Sequence, residues 1–269
     1  MKNKKYLSPG EVSGLENPYF DLQAEMGSTK HMGGLKATKE LIELCRIGKD
    51  KYVLDVGCGV GKTACYIAKN YGCRVVGMDI SERMIDRAKE RAKREGLEDR
   101  VEFRAADAQN LPLKDDEFDA VISESVTAFP EDKRKALSEY VRVTKKGGYV
   151  GLNETAWLKK PSKELAEYLF RSAGGVKPET PEVWKELLEG AGLRDIVVRT
   201  CKVKALSQAV NEIRMAGFTE IFKAWYRLLH LYIKSSAHRK AINEMMKDAR
   251  TAPKNMFEYY GYGIYVGRK

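Results

Sequence analysis

The sequence predicts an α/β fold: a seven-stranded, mostly parallel sheet with helices on both faces and a helical cap inserted before the last strand. Three observations carry this expectation. Between residues 52 and 153 short apolar runs alternate with stretches of helical period, the pattern of a parallel sheet covered on both sides. The chain has 269 residues, 43% hydrophobic and 32% charged, enough for one large domain with a sizeable core. The final segment, 259–268, returns to Tyr, Val and Ile after a long helical block, so that block interrupts the sheet instead of following it.

Each element has its own signal. Residues 1–30 are punctuated by Pro9-Gly10, Gly14, Asn17-Pro18 and Gly27 and read as an irregular arm with a short helix over 19–26. From Gly34, Leu35, Thr38, Leu41, Ile42, Leu44 and Cys45 fall near one helical stripe that ends at Gly48. Strands follow at 52–56, 74–78, 101–105, 118–123 and 149–153. Between them lie a helix over 62–70, one capped by Ser81 with Met84, Ile85, Ala88 and Ala92 at helical spacing, and one over 133–143 closed by Gly147-Gly148. Helices over 163–172 and 181–190, a β-branched strand over 195–204 and a helical stretch over 206–250 precede the last strand.

Composition narrows the function. No run of about 18 apolar residues is present, so no membrane span is expected. The basic start lacks an apolar segment behind it, and a secretory signal is not expected. The five cysteines are scattered without metal-type pairing, as in a reduced, cytoplasmic protein. Net charge is +10, and residues 200–269 hold 13 Lys/Arg against 5 Asp/Glu, a balance of +8. Such a quarter suits nucleic acid, anionic lipid or an acidic substrate, or is simply a solvated helical face.

The segment Asp55-Val-Gly57-Cys58-Gly59-Val-Gly61-Lys62-Thr63 is the most informative. A strand entering a glycine-rich turn and then a helix lets a ligand approach the backbone and offers N–H groups to an anion. A nucleotide P-loop would need glycine at 56, where valine stands. A dinucleotide fingerprint would need Gly or Ala at 62, where lysine stands. The remaining reading is S-adenosylmethionine (SAM). Asp-x-Gly-x-Gly-x-Gly resembles the first motif of class I SAM-dependent methyltransferases, and later segments extend the likeness in order. Asp79-Ile80 ends the second strand 24 residues after Asp55, where an acid can accept from both ribose hydroxyls. Ala106-Asp107-Ala108-Gln109-Asn110-Leu111-Pro112 resembles the family's adenine-reading segment, and Phe118-Asp119-Ala120-Val121 opens the fourth strand in the same way. Arg142-Val143-Thr144-Lys145-Lys146-Gly147-Gly148 resembles its R-V-L-K-P-G-G, with Lys146 in place of the usual proline.

This resemblance, over about residues 50–153, implies a Rossmann-like fold and SAM as cofactor, with S-adenosylhomocysteine (SAH) as product. The cofactor contacts it implies are Asp55, Gly57, Cys58, Gly59, Gly61, Asp79, Ile80, Asp107, Ala108 and Glu124. It also implies an arm and helix over 1–48 closing on the cofactor, a core over 49–204, a helical cap over 205–256 and a final strand within 257–269. Gly27-Ser28-Thr29-Lys30-His31-Met32-Gly33 is similar to a G-x-x-x-H-x-G segment of small-molecule members such as the sterol and glycine-betaine-forming methyltransferases, and the chain as a whole resembles the ubiquinone/menaquinone and sterol C-methyltransferase group. His31 is therefore a candidate cofactor contact or proton acceptor, and Glu124 a candidate base or cofactor-orienting group. Methyl transfer from a sulfonium needs no metal, and no His/Cys/Asp cluster in the sequence suggests one.

The acceptor depends on the cap. Phe218, Ile221, Phe222, Trp225, Leu228, Leu229, Tyr232 and Ile233 form an apolar stripe with Lys223, Arg227 and Lys234 beside it. It either packs on the core or on a second copy, walls a pocket for a lipid-, isoprenoid- or aromatic-like small molecule, or rests on a membrane surface. Tyr19, Trp157, Phe222 and Trp225 are the pocket candidates, with Tyr168 near the same mouth. Nucleic acid is not expected as the partner: an RNA methyltransferase stays open through the basic C-terminal quarter, but Ser123-Glu124-Ser125-Val126 stands where an N-P-P-Y-type motif would be. From another class, a SAM-binding regulator or inactive scaffold subunit also stays open.

Overall fold

The computed structural model describes residues 17–27, 31–203 and 218–269. Helices α1 (Pro18–Met26) and α2 (Gly34–Leu44) precede β1 (Tyr52–Val56), α3 (Lys62–Tyr71), β2 (Arg74–Asp79), α4 (Glu82–Glu95), β3 (Val101–Ala105), β4 (Phe118–Glu124), α5 (Lys133–Val143) and β5 (Thr144–Trp157). Then come α6 (Lys163–Ser172), α7 (Pro181–Gly190), β6 (Arg194–Lys202), α8 (Phe218–Lys234), α9 (Ser236–Arg250), α10 (Met256–Tyr259) and β7 (Tyr260–Arg268). The sheet order is β3-β2-β1-β4-β5-β7-β6. Strands β1 to β5 pair in parallel, and β7 runs antiparallel to both neighbours. The chain leaves β1 toward β2 on one side and later enters β4 on the other, so strand order reverses between β1 and β4. Ligands of open α/β sheets sit above that reversal, at the carboxyl ends.

The two-residue period of the strands builds two cores. Leu54, Val76, Val121 and Leu152 face Leu137, Tyr140 and Trp184 of α5 and α7. Val53, Val75, Ala120 and Ile264 face Leu41, Ile67 and Ala88 of α2, α3 and α4. Local signals set the helix ends: Ser81 accepts from the Met84 amide, and Gly96 closes α4 in the left-handed conformation at φ 65°.

Three expectations are corrected. Gly147-Gly148 does not close α5; Thr144 does, donating its amide to the carbonyls of Tyr140 and Val141. The glycines lie inside β5, which runs well beyond 149–153 because β7 pairs with it from Tyr149 to Trp157. The stretch over 206–250 is not one helix: Ser235 interrupts it and caps α9 by accepting from the His238 amide. Its portion over 206–217, like residues 1–16 and 28–30, lies outside the described residues.

Arg142 ties the adenine-type segment to the core. Its guanidinium donates to the carbonyls of Leu111 (3.0 Å) and Leu113 (2.8 Å) and to Glu139, while Glu139 accepts from the Leu111 amide at 2.8 Å. Charge-assisted bonds of this kind are worth more than neutral ones. Arg142→Leu should therefore lower unfolding free energy by about 1–3 kcal/mol, measured by urea denaturation. An unchanged midpoint would mean the loop holds itself.

Candidate active site

The glycine loop is tied to β2 before any ligand arrives. The amides of Gly57 and Cys58 both donate to the Met78 carbonyl, at 2.6 and 2.9 Å, and the Gly59 amide donates to Asp79 Oδ2 at 2.9 Å. Gly57 sits at φ 72°, and a Cβ there would collide with Val126 in the turn after β4. Glycine is thus required twice, by backbone conformation and by that close approach.

Asp79 accepts one amide on each oxygen, from Gly59 and from Ser81 at 2.9 Å. A carboxylate oxygen has capacity for a second donor, so both remain able to receive hydroxyls. Burial pushes the Asp79 carboxyl upward, opposed by those two amides. Ile80 beside it presents an exposed apolar side chain. Across the cleft, the Ala106 amide donates to the Asp79 carbonyl at 2.9 Å, joining β3 to β2, and exposed Asp107 accepts from the Gln109 amide at 2.8 Å, with Ala108 half-buried between them. Asp55 lies beneath the loop, buried, and accepts from the Ala64 amide in the first turn of α3. Burial pushes its carboxyl well above the carboxylate range, and the charges of Glu124 and Asp79 push the same way. The cofactor candidates read from the sequence thus converge on the carboxyl ends of β3, β2, β1 and β4, four adjacent strands.

A second cluster surrounds Glu124, and two of its members, Thr38 and Asn153, lie outside the motifs. The buried Glu124 carboxylate accepts from Thr38 Oγ1 of α2 at 3.0 Å, Thr63 Oγ1 of α3 at 2.7 Å and Asn153 Nδ2 of β5 at 3.3 Å. His31 Nδ1 stands 3.5 Å from Glu124 Oε1, and the ring is buried. Asn153 Nδ2 also donates to the Met32 carbonyl at 2.9 Å, and the Met32 amide donates to Ser125 Oγ at 3.4 Å, which fixes the arm over the strand ends. Next in β5, Glu154 is buried and accepts from the amides of Val126 (2.9 Å) and Thr127 (2.6 Å). It holds the turn that touches Gly57. Burial raises its carboxyl to about 7 against those amides.

The pocket candidates divide. Trp157 is buried edge-to-face on Tyr260, 5.8 Å between centroids. Tyr19 is half-buried on α1, 5.3 Å from the Phe20 ring, which in turn meets Phe129 at 5.1 Å. The Tyr168 hydroxyl donates to the Asp248 carbonyl of α9 at 3.3 Å. Phe222 and Trp225 are a correction: they face solvent, because α8 turns Leu228 and Tyr232, not these two, toward Leu22, Ala241 and Ile242.

The site is rich in acceptors. Asp55 Oδ2 and Asn153 Oδ1 are buried with no hydrogen-bond partner among the described residues, next to the Glu124 carboxylate and near Asp79. Such a set fits a ligand that carries positive charge and a ribose diol, as SAM does with its sulfonium and ammonium. The strand order, the loop and this acceptor set define the SAM-binding class of α/β enzymes.

Comparison with known proteins agrees. A methyltransferase-domain family model matches residues 54–152. An uncharacterised Haemophilus influenzae protein is 33% identical over 177 residues, 64% of this chain and 70% of its own. The phosphoethanolamine N-methyltransferase of Triticum aestivum is 34% identical over 185 residues, 67% of this chain but 36% of its own length. The chain thus spans about a third of that enzyme. In fold, the structure of Haemonchus contortus phosphoethanolamine N-methyltransferase 2 with SAM superposes at TM-score 0.71 and 20% identity, covering 99% of this chain and 61% of that one. The chain carries a methyltransferase domain over residues 54–152, and SAM is its cofactor.

Glu154 yields a signed pH prediction. With a folded-state pKa near 7, above the ordinary glutamate value, folding takes up protons as pH falls through that window. Its contribution to stability is therefore fully present below about pH 4.5 and lost as pH rises through 7. The stability of the parent relative to Glu154→Gln should fall by on the order of 2–3 kcal/mol between pH 5 and 8, read from urea midpoints. Parallel pH curves would mean that the carboxylate is ionised throughout.

Proposed function

We propose that the chain transfers a methyl group to a small organic acceptor whose reacting atom carries a proton, an amine or hydroxyl, held between α1 and the carboxyl ends of β4 and β5. The observation that carries this reading is the buried His31–Glu124 pair, one strand over from the glycine loop. Bound SAM supplies an activated methyl group on a sulfonium. The chain's own residues bind, orient and handle the proton. Asp79 takes the ribose hydroxyls, Asp107 and the Ala108 amide read the adenine edge, Ile80 covers its face, and Asp55 with Asn153 Oδ1 faces the positive charge. Gly57, Cys58, Gly59 and Gly61 let the ligand lie against the backbone.

Glu124 is spoken for by Thr38, Thr63 and Asn153, so we assign it a positioning role. Its carboxylate, 3.5 Å from His31 Nδ1, favours the imidazolium that forms when His31 takes up the acceptor's proton. The aromatic rings of Tyr19, Phe20, Phe129 and Tyr260 favour an acceptor with an apolar body or a cationic amine. The wheat relative is named for N-methylation of phosphoethanolamine, which supports an amine. The five cysteines are free thiols, four of them buried, which supports a reducing, cytoplasmic setting.

Calorimetric titration with SAH should give one-site binding, weakened at least about tenfold by Asp79→Ala. In an SAH-release assay across a panel of amines and alcohols, His31→Ala should lower kcat by about 10²–10⁴ while leaving SAH affinity near that of the parent. Equal losses in both would make His31 a binding residue only. If the parent does not bind SAH, the scaffold reading replaces this one.

A further inference from the structure

Helix α8 lies between β6 and β7 in the chain and packs on α1 and α9 through Leu228 and Tyr232. Its other side is apolar and open. Phe222, Trp225, Tyr226, Leu229 and Ile233 are 59–76% exposed, and their spacing of three and four places them on one stripe. From 222 to 234 the helix carries Lys223, Arg227 and Lys234 and no Asp or Glu. Lys223 and Lys234 are exposed beside the stripe, while Arg227 donates to the Met26 carbonyl of α1 at 3.4 Å.

We infer that the outer face of α8 docks on an anionic lipid surface. A helix with aromatic and aliphatic residues on one face, flanked by lysines and with its one acid, Glu220, confined to the first turn, has the chemistry of an interfacial helix: apolar side chains enter the acyl boundary and lysines meet the headgroups. Tryptophan and tyrosine are the side chains that favour that boundary. A second copy of the chain fits less well. The stripe is roughly 17 Å long and one helix diameter of about 10 Å wide, well short of the roughly 800 Å² per partner of a stable protein interface. Single-stranded RNA also fits less well, since Leu229 and Ile233 offer no face for stacking bases. The +8 balance of residues 200–269 is complementary to an anionic bilayer and adds long-range attraction. This docking is independent of which acceptor is methylated.

Tryptophan fluorescence tests it directly. Of the three tryptophans, Trp157 and Trp184 are 8% and 0% exposed and Trp225 is 68% exposed, so Trp225 reports on solvent access. Full-length protein mixed with phosphatidylcholine vesicles containing phosphatidylglycerol should co-sediment and shift its emission to the blue, with little change on phosphatidylcholine alone. The double substitution Lys223→Glu/Lys234→Glu, on the solvent side of the helix, should weaken binding at least about tenfold. Phe222→Ser/Leu229→Ser should abolish the shift while SAH binding persists, showing that the fold is intact. The inference is overturned if Trp225 emission is unmoved by either vesicle. It is equally overturned if oligouridine binds where vesicles do not, or if sedimentation velocity shows a lipid-free dimer that already shields Trp225.

Discussion

A buried carboxylate that must find donors organises this molecule. Glu124, at the end of β4, would be costly beneath the arm without hydrogen bonds. It takes them from α2, α3 and β5 through Thr38, Thr63 and Asn153. Each donor comes from an element that flanks the reversal in strand order, so meeting the needs of one side chain fixes the relative positions of the arm helix, the glycine-loop helix and the central strands. Several hydrogen bonds gathered on one buried carboxylate stiffen its surroundings. The arm then inherits its place from the same network, because Asn153 also holds the Met32 carbonyl and brings His31 to the carboxylate.

The site divides along the sheet. On the β3-β2-β1 side the hydrogen bonds are to backbone: Asp79 holds Gly59 and Ser81, the Met78 carbonyl holds Gly57 and Cys58, and Arg142 holds the loop after β3. That is the side on which the proposed function seats the nucleoside. On the β4-β5 side side chains meet side chains, and the neighbouring surface is aromatic and contributed by α1 and the turn after β4. The turn is the hinge point of the division. Glu154 fixes it from below while Val126 fills the space that Gly57 leaves, so the geometry of the proposed nucleoside side and that of the proposed acceptor side depend on each other.

The local geometry of the proposed nucleoside half, its glycine loop and strand-end acid, was legible in the sequence because its signals are local. A glycine at positive φ, an acid at a strand end and an N-cap serine each act within a few residues, and strand and helix periods place them. The boundaries of α5, α6 and α7 followed from the same local patterns. The Glu124 network was not legible, because its partners are 86, 61 and 29 residues from it in sequence. Thr38 and Thr63 read as ordinary helix residues until α2 and α3 are packed against the strand ends. Gly147-Gly148 misled for a related reason: a glycine pair after a helix reads as a stop, yet here the strand pairing of β5 captures it.

Helix α8 shows the limit of periodicity in another way. Its apolar residues cover more than one face, and spacing alone ranks Leu228 and Leu229 equally. Tertiary packing separates them: Leu228 and Tyr232 meet Leu22 and Ile242, and Leu229 with Phe222, Trp225, Tyr226 and Ile233 is left outside. A helix that needed only to pack on α1 and α9 would be expected to carry polar residues there. The absence of any acid from 222 to 234 is the second departure from an ordinary solvated face, where both signs of charge normally mix. Two departures at the same surface, one of hydrophobicity and one of charge, are physically consistent with a single anionic, water-poor environment outside the protein. They also leave the proposed acceptor side untouched, because the arm that carries His31 is held by Asn153 and Ser125 and not by the outer face of α8.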